Sequence, residues 1–374
     1  MSSNCELMSM ISRVYSPFPL RIVSAHGINI KTEQGEFLDT FAGIGVLAFG
    51  HSDVATVEAV TSKIKRFSHT SNYFIDEDAI SLSEKLLHFS CSKGEVYFSN
   101  SGTEATEAAI KAVRKLRSGK LVSFEGNFHG RTMGALSLTH SEKLRKPFEP
   151  LLQDVLFLPK RVEDFERAVR EEEIAAVFVE TIQGNSGVLP YPADLVRTIE
   201  GLRRDKGFLV VADEIQSGLC RTGEYFGYHN YEIEPDMVIL GKAVGGGLPL
   251  GAVVFRGLSP FALGDHGSTF APNPISLAAG LSVVSRMNYD LLESVRICGA
   301  QLMENLKRLP WVKEVSGMGL MIGVSTEDPD KVKSLAFERR VLLNVTGGRI
   351  RFLPALNITI EEINEITERL DFGG

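Results

Sequence analysis

Cysteine is scarce in this sequence. Cys5, Cys91, Cys220 and Cys298 are the only four in 374 residues, and none stands in a CxxC pair. That spacing argues against a zinc ribbon and does not resemble a disulfide framework. An excess of positive charge is also missing. Forty Lys and Arg are set against 47 Asp and Glu, a formal charge of −7, which disfavours a nucleic-acid partner. No apolar run is long enough to span a bilayer. Residues 1–15 lack the basic start and continuous apolar core of a secretory signal. There is no internal repeat and no low-complexity segment. What these absences leave is a cytoplasmic globular enzyme with no membrane, nucleic-acid or metal partner.

Glycine, by contrast, is plentiful: 35 residues spread along the chain, as tight strand-to-helix turns require. Short apolar runs alternate with helical patterns from about residue 95 to 255. "GEVYFSN" (94–100), "KLVSFEG" (120–126), "IAAVFVE" (174–180), "GFLVVADE" (207–214) and "DMVILGK" (236–242) read as strands apolar on both faces. Such strands predict an α/β fold, with a mainly parallel central sheet covered by helices on both faces. "TEATEAAIKAVRKL" (103–116) carries Ala109, Ile110, Val113 and Leu116 at helical spacing. "GINIKTEQGEFLDTFAG" (27–43) predicts two short antiparallel strands turning at "EQGE". The division expected is an N-terminal segment (1–50) packing with a small domain, a large domain (51–270), and a smaller α+β C-terminal domain (271–374).

The chemistry begins with "MVILGKAVGGGLPLGA" (237–252), where one lysine follows an apolar strand and glycines surround it. Open α/β sheets bind ligands at the carboxyl ends of their strands. A lysine kept from water there has its charged form disfavoured and becomes a usable amine nucleophile. Lys242 is therefore a candidate Schiff-base lysine, and the glycines would let a flat ligand approach the backbone. Asp213 ends another such strand in "FLVVADEIQSG" (208–218). A carboxylate there suits the protonated ring nitrogen of pyridoxal phosphate, although a plain helix cap is the competing reading. Gln216 is placed to meet the ring hydroxyl. In "SNSGTEATEAA" (99–109), Gly102 and Thr103 open a helix whose free amides favour a phosphate; capping by Ser101 or Thr103 competes. "NFHGRTMG" (127–134) adds Phe128 for stacking on a ring and Arg131 for a substrate carboxylate. His129 reads as structural, because Lys242 is free to act as base once a substrate amine displaces it. "HGSTF" (266–270) offers the hydroxyls of Ser268 and Thr269. "GMGLMIG" (317–323) has glycines but not the spacing or the following helix of a dinucleotide loop.

Taken together, "NSGTEA", "FHGRT", "DEIQSG…RTG", "GKAVGGGLPLGA", "HGSTF…NP" and "IRFLP" stand in the order found in class III (subgroup II) pyridoxal-phosphate aminotransferases. The chain resembles that family from "GEFLDTFAGIGV" (35–46) to "RFLPAL" (351–356). The resemblance implies fold type I, a homodimer with shared active sites, and pyridoxal 5'-phosphate as cofactor. It makes Lys242 the covalent anchor and Asp213 the partner of the ring nitrogen. Gly102 and Thr103 would hold the phosphate, Phe128 the ring face and Gln216 the ring oxygen. Thr269 would reach the neighbouring subunit's phosphate. Arg131 and Ser268 match positions for an acylated diamine, and Arg351 matches the arginine that takes the α-carboxylate of glutamate. The activity implied moves the terminal amine of N-acetylornithine to 2-oxoglutarate, with an acylated or carrier-bound lysine and 4-aminobutyrate as alternative donors.

The chain departs from the family at "VETIQGNSGV" (179–188). Thr181 replaces a usual proline, and Asn185 replaces an acid that would mask Arg351. Asn185 can hydrogen-bond a guanidinium but cannot neutralise it, so an anion, a water or another acid is expected at Arg351. Ala271 and Pro272 stand where the family has two glycines, and Cys220 where it has another. These departures bear on the substrate more than on the cofactor.

Overall fold

The computed structural model describes residue 12 and residues 14–373; Cys5 and most of the first 13 residues lie outside them. Three short strands come first: β1 (Ile22–His26), β2 (Asn29–Thr32) and β3 (Gly35–Asp39). The β2–β3 hairpin turns at Glu33 and Gln34, as its pattern predicts, and β1 pairs on its other edge. Helices α1 (Val54–Arg66) and α2 (Glu77–Phe89) follow, each capped by an aspartate: Asp53 accepts from the Thr56 amide and Asp76 from the Asp78 amide.

The central sheet uses β4 (Gly94–Ser99), β5 (Lys120–Phe124), β6 (Val155–Leu158) and β7 (Ile174–Val179). A two-residue pair, β8 (Ile182–Gln183) and β9 (Leu189–Pro190), leads away from β7. The sheet then continues with β10 (Leu209–Asp213), β11 (Met237–Leu240) and β12 (Gly251–Arg256). Across the sheet the order is β4-β12-β11-β10-β7-β5-β6. Among the described residues, β12 alone runs against the others, pairing antiparallel with β4 and β11. The sheet is thus mainly parallel, and every residue of β10 and β11 is buried.

Period-2 alternation sends the two sets of strand side chains to opposite layers. Val211, Met237, Ile239 and Val253 pack on one face with Ala105, Ala108, Ala109 and Val113 of α3 (Gly102–Leu116). Val210, Ala212, Val238 and Leu240 belong to the core on the other face, with Leu82 and Leu86 of α2. That layer also contains Phe165 of α4 (Val162–Glu171) and Ile199 of α5 (Ala193–Lys206). The alanines of α3 let it lie close to the sheet, and that closeness brings its N-terminus to the strand ends.

Helix α6 (Pro274–Val284) starts at the Asn273 cap, packs on α1 and α2, and supports the turn after β11. Helices α7 (Tyr289–Lys307), α8 (Pro329–Glu338) and α9 (Ile360–Leu370) accompany a second, antiparallel sheet. Its strands are β13 (Glu314–Met318), β14 (Met321–Ser325), β16 (Asn344–Thr346) and β17 (Arg349–Phe352), in the order β13-β14-β17-β16. The glycine-rich stretch 317–323 forms the β13–β14 hairpin, with Met318 opposite Met321, so it is no nucleotide loop. The short β15 (Val341–Leu342) pairs parallel with β3 and closes the N-terminal sheet.

Candidate active site

The carboxyl ends of β7, β10 and β11 lie side by side. Ala212 is in register with Val179 and Asp213 with Ile239. Glu180, Asp213 and Lys242 are therefore delivered to one edge, where they line a cavity of roughly 410 Å³. The helix-opening pair Gly102 and Thr103, the aromatic Phe128, and Arg131, Gln216 and Arg351 line it too. Sequence reasoning proposed all of these except Glu180.

Lys242 begins a single 3-10 turn, Lys242–Gly245, with a left-handed φ of 46°. A side-chain-bearing residue in that region is strained and persists only where its surroundings hold it. Burial among protein atoms draws its ammonium down to about 8 from 10.5; Asp213 opposes this and Arg351 reinforces it. The neighbouring glycines serve packing, not approach by a ligand, which corrects the reading of that stretch. A Cβ on Gly246 would lie 2.7 Å from Val283 of α6, and one on Gly241 3.0 Å from the Gly102 backbone. The space beside Gly102 is likewise taken by Ile215, 2.7 Å from where a Cβ would stand.

At the start of α3, Ser101 is the cap and accepts from the Glu104 amide at 3.3 Å. The Gly102 and Thr103 amides remain without intrahelical partners, as in the first turn of any α-helix. Thr103 Oγ1 accepts from the Arg131 and Thr132 amides at 3.1 and 3.2 Å, and so holds the Gly130–Thr132 loop against the helix. Gly130 is required there (φ 137°), since a Cβ would fall 2.3 Å from Thr103 Oγ1. The exposed Arg131 guanidinium stands 5.5 Å from the Phe128 ring centroid.

Each oxygen of Asp213 accepts one hydrogen bond, which leaves the carboxylate acceptor capacity toward the cavity. His129 Nδ1 donates to its Oδ2 at 2.7 Å, and the Ile215 amide donates to its Oδ1 at 3.1 Å. Glu180 accepts from the Phe128 amide at 2.7 Å. Burial, with the charge of Asp213 added to it, pushes Glu180 up to about 7. The strand-end position that singled out Asp213 and Lys242 applies equally to Glu180, so the signal was present in "IAAVFVE".

Arg351 is buried, and among the described residues no acid is one of its hydrogen-bond partners. Its Nε and Nη2 donate to Asn344 Oδ1 at 3.1 and 2.8 Å; its Nη1 donates to Gly184 O and Gln216 Oε1 at 3.0 and 3.1 Å. Burial lowers its pKa to about 10, with Glu180 the charge that opposes the drop. Asn185 does not reach it. That exposed residue turns to Thr346, whose hydroxyl donates to the Asn185 carbonyl at 2.9 Å. Of the partners expected at Arg351 (an anion, a water or another acid), no acid stands there among the described residues; the protein contacts are neutral oxygens. Asn344 was missed because its relation to Arg351 is cross-strand: the two are direct partners in the β16–β17 ladder.

Ser268 and Thr269 do not line this cavity. Asn100 Nδ2 donates to Ser268 Oγ at 3.1 Å and Asn72 Nδ2 to the Ser268 carbonyl at 2.9 Å, while Thr269 is exposed.

Compared with known families, residues 10–372 match the model described as aminotransferase class-III. This chain is a class-III aminotransferase family member. Among curated relatives of the family, the chain is 40% identical over 365 residues to an acetylornithine aminotransferase of Archaeoglobus fulgidus, covering 96% of both chains. It is 37% identical over 368 residues to that of Aquifex aeolicus, covering 96% of this chain and 97% of the relative. Two solved aminotransferase structures superpose closely. The ornithine aminotransferase of Toxoplasma gondii gives a TM-score of 0.92 at 29% identity, covering 98% of this chain and 92% of that one; it has pyridoxal phosphate at partial occupancy in its active site. The N-acetylornithine aminotransferase of Stenotrophomonas maltophilia gives 0.82 at 30% identity, covering 96% of each.

Proposed function

We propose that this class-III member is a pyridoxal 5'-phosphate-dependent aminotransferase that moves the terminal amine of N-acetylornithine to 2-oxoglutarate. The products would be N-acetylglutamate semialdehyde and glutamate. The observation that carries the chemistry is one cavity lined by a lysine lowered to about 8, a carboxylate at the next strand end, a helix N-terminus and a buried arginine held by neutral oxygens. The residues fit the cofactor part by part. The Gly102 and Thr103 amides suit its phosphate, Phe128 its ring face, Asp213 its ring nitrogen, and Lys242 its carbonyl carbon. When bound, the cofactor acts as an electron sink for charge developing at the substrate carbon.

The protein's own tasks follow from placement. Burial disfavours the ammonium form of Lys242, which suits its Nζ to take a proton from the amine-bearing carbon of the substrate. Asp213, held by His129 and the Ile215 amide, presents fixed negative charge in a site shielded from water. Arg351 offers a guanidinium to the α-carboxylate of the acceptor, and Gln216 links that arginine to the cofactor's side of the cavity. Arg131 is the second cation, suited to the carboxylate at the far end of the donor. Ser268 and Thr269 support a role across a homodimer interface. They lie off this chain's cavity, and two large exposed apolar side chains flank them: Phe270, next in sequence, and Tyr73, next to the Asn72 that bonds Ser268.

The test is a comparison of donors with 2-oxoglutarate as acceptor. N-acetylornithine is expected to give the highest kcat/KM. Higher values with an acylated lysine or 4-aminobutyrate would overturn the donor assignment. Borohydride trapping followed by peptide mapping is expected to place the cofactor mass on Lys242.

A further inference from the structure

We propose that Gln183 is a positioning residue which, through Asn127, sets the tautomer of His129 and so fixes the donor that faces Asp213. The inference rests on the reading of Asp213 as the cofactor's anionic partner. Hydrogen-bond polarity propagates along this chain of side chains from Lys160. Lys160 has only donors, and its Nζ donates to Gln183 Oε1. The Gln183 amide nitrogen must then donate. It does so twice, to the Glu125 carbonyl at 2.7 Å and to Asn127 Oδ1 at 2.8 Å. The Tyr191 hydroxyl also donates to that Asn127 oxygen. Burial first, then the charge of Glu180, raises the Tyr191 pKa well above its ordinary value, which keeps its proton in place.

With its oxygen doubly engaged, Asn127 turns its amide nitrogen toward His129 Nε2, at 3.0 Å, and toward the Phe178 carbonyl, at 3.3 Å. His129 Nε2 therefore accepts, and the one ring proton resides on Nδ1, the nitrogen 2.7 Å from Asp213. Gln183, Asn127 and His129 are each no more than 2% exposed, so bulk solvent does not offer alternative partners. The chain leaves Asp213 with two donors and no reason to donate.

Gln183→Glu tests this with almost no change of shape. A glutamate still accepts from Lys160 but cannot donate to Asn127. The Asn127 amide should then reverse and present its oxygen to Nε2. His129 would stand between two acceptors and become protonated on both nitrogens. The readout is the side-chain 15N spectrum of histidine-labelled enzyme reconstituted with pyridoxal phosphate, with the His129 signals assigned by His129→Gln. Wild type is expected to show a protonated Nδ1 and a bare Nε2, and Gln183→Glu to show both protonated. With that change, kcat should fall about tenfold or more while both KM values stay within about threefold. A wild-type His129 protonated on Nε2 would overturn the proposal even if the variant fails to fold. So would a folded Gln183→Glu enzyme with an unaltered His129 spectrum. Failure of the underlying reading shows elsewhere, as undiminished turnover in Asp213→Asn.

Discussion

Asn344→Asp places a carboxylate where a neutral amide now holds Arg351. The geometry is favourable, with one oxygen already 2.8 Å from Nη2 and 3.1 Å from Nε. Charges some 4 Å apart attract by about 4 kcal/mol at an effective dielectric near 20. Much of that is offset by taking the new carboxylate out of water. A net gain of about 1.5–3 kcal/mol is the usual size for a hydrogen bond to a charged group. A substrate carboxylate must compete with that internal partner, so kcat/KM for 2-oxoglutarate is expected to fall about 10- to 100-fold. The donor presents an amine, not a carboxylate, near Arg351. Its kcat/KM should change by less than about threefold. Initial rates in both directions, fitted to a ping-pong scheme, separate the two constants. Equal losses for donor and acceptor would refute the reasoning, as would an unchanged acceptor constant in a variant whose thermal unfolding matches wild type.

Three further outcomes follow from the same site. Lys242 sits at about 8 in the fold against 10.5 free, so its charge destabilises the apoprotein at neutral pH, and stability recovers as pH rises from about 8 to 10.5. Lys242→Met apoprotein should be the more stable at pH 7, by up to about 3 kcal/mol less what cavity water screens, with the gap closing by pH 10.5 in urea titrations. Glu180 is raised to about 7 from 4.5, so its ionisation weakens the fold as pH climbs through that window. The stability advantage of Glu180→Gln should grow from pH 4.5 to 7 and then level off, and a gap that shrinks over that range would contradict the assignment. Gly184→Ala would put a methyl 1.9 Å from Gln216 Oε1. It should displace that side chain, cost about 1–3 kcal/mol in thermal unfolding, and weaken the acceptor half-reaction more than the donor half-reaction.

What could be read in advance was whatever the backbone pattern itself encodes. Runs such as "LVVAD" and "MVIL" announce buried parallel strands, and strand ends announce ligand sites, so Asp213 and Lys242 emerged from position alone. β12 was not among the strands read, and its direction would not have emerged either, because an apolar run looks the same whichever way it lies in a sheet. Asn344 was invisible for a related reason. Its partner Arg351 is seven residues away in sequence but directly opposite in the ladder, and no local pattern marks such a register. The glycines after Lys242 were misread because a missing side chain does not say whether a ligand, a helix or another turn fills the space. His129 was read as structural from its loop setting, but its orienting hydrogen-bond partners come from "EGNF" and from "TIQG" by way of Asn127, and only the packing of β5, β7 and β8 brings them together.

The pairing of β3 with β15 joins segments that the ribosome makes at very different times: Thr40 Oγ1 donates to the Leu342 carbonyl across 302 positions of sequence. Gly43 and Ile44, just beyond β3, form part of the cavity wall. A nascent chain therefore holds that wall unsecured until nearly all of its length has emerged, because loop closure over so long a span must precede the contacts that reward it. Messages truncated before residue 341 would encode every strand of the central sheet, yet their chains would have an unfinished pocket and lack part of the shared core, which makes them a natural substrate for quality-control proteases.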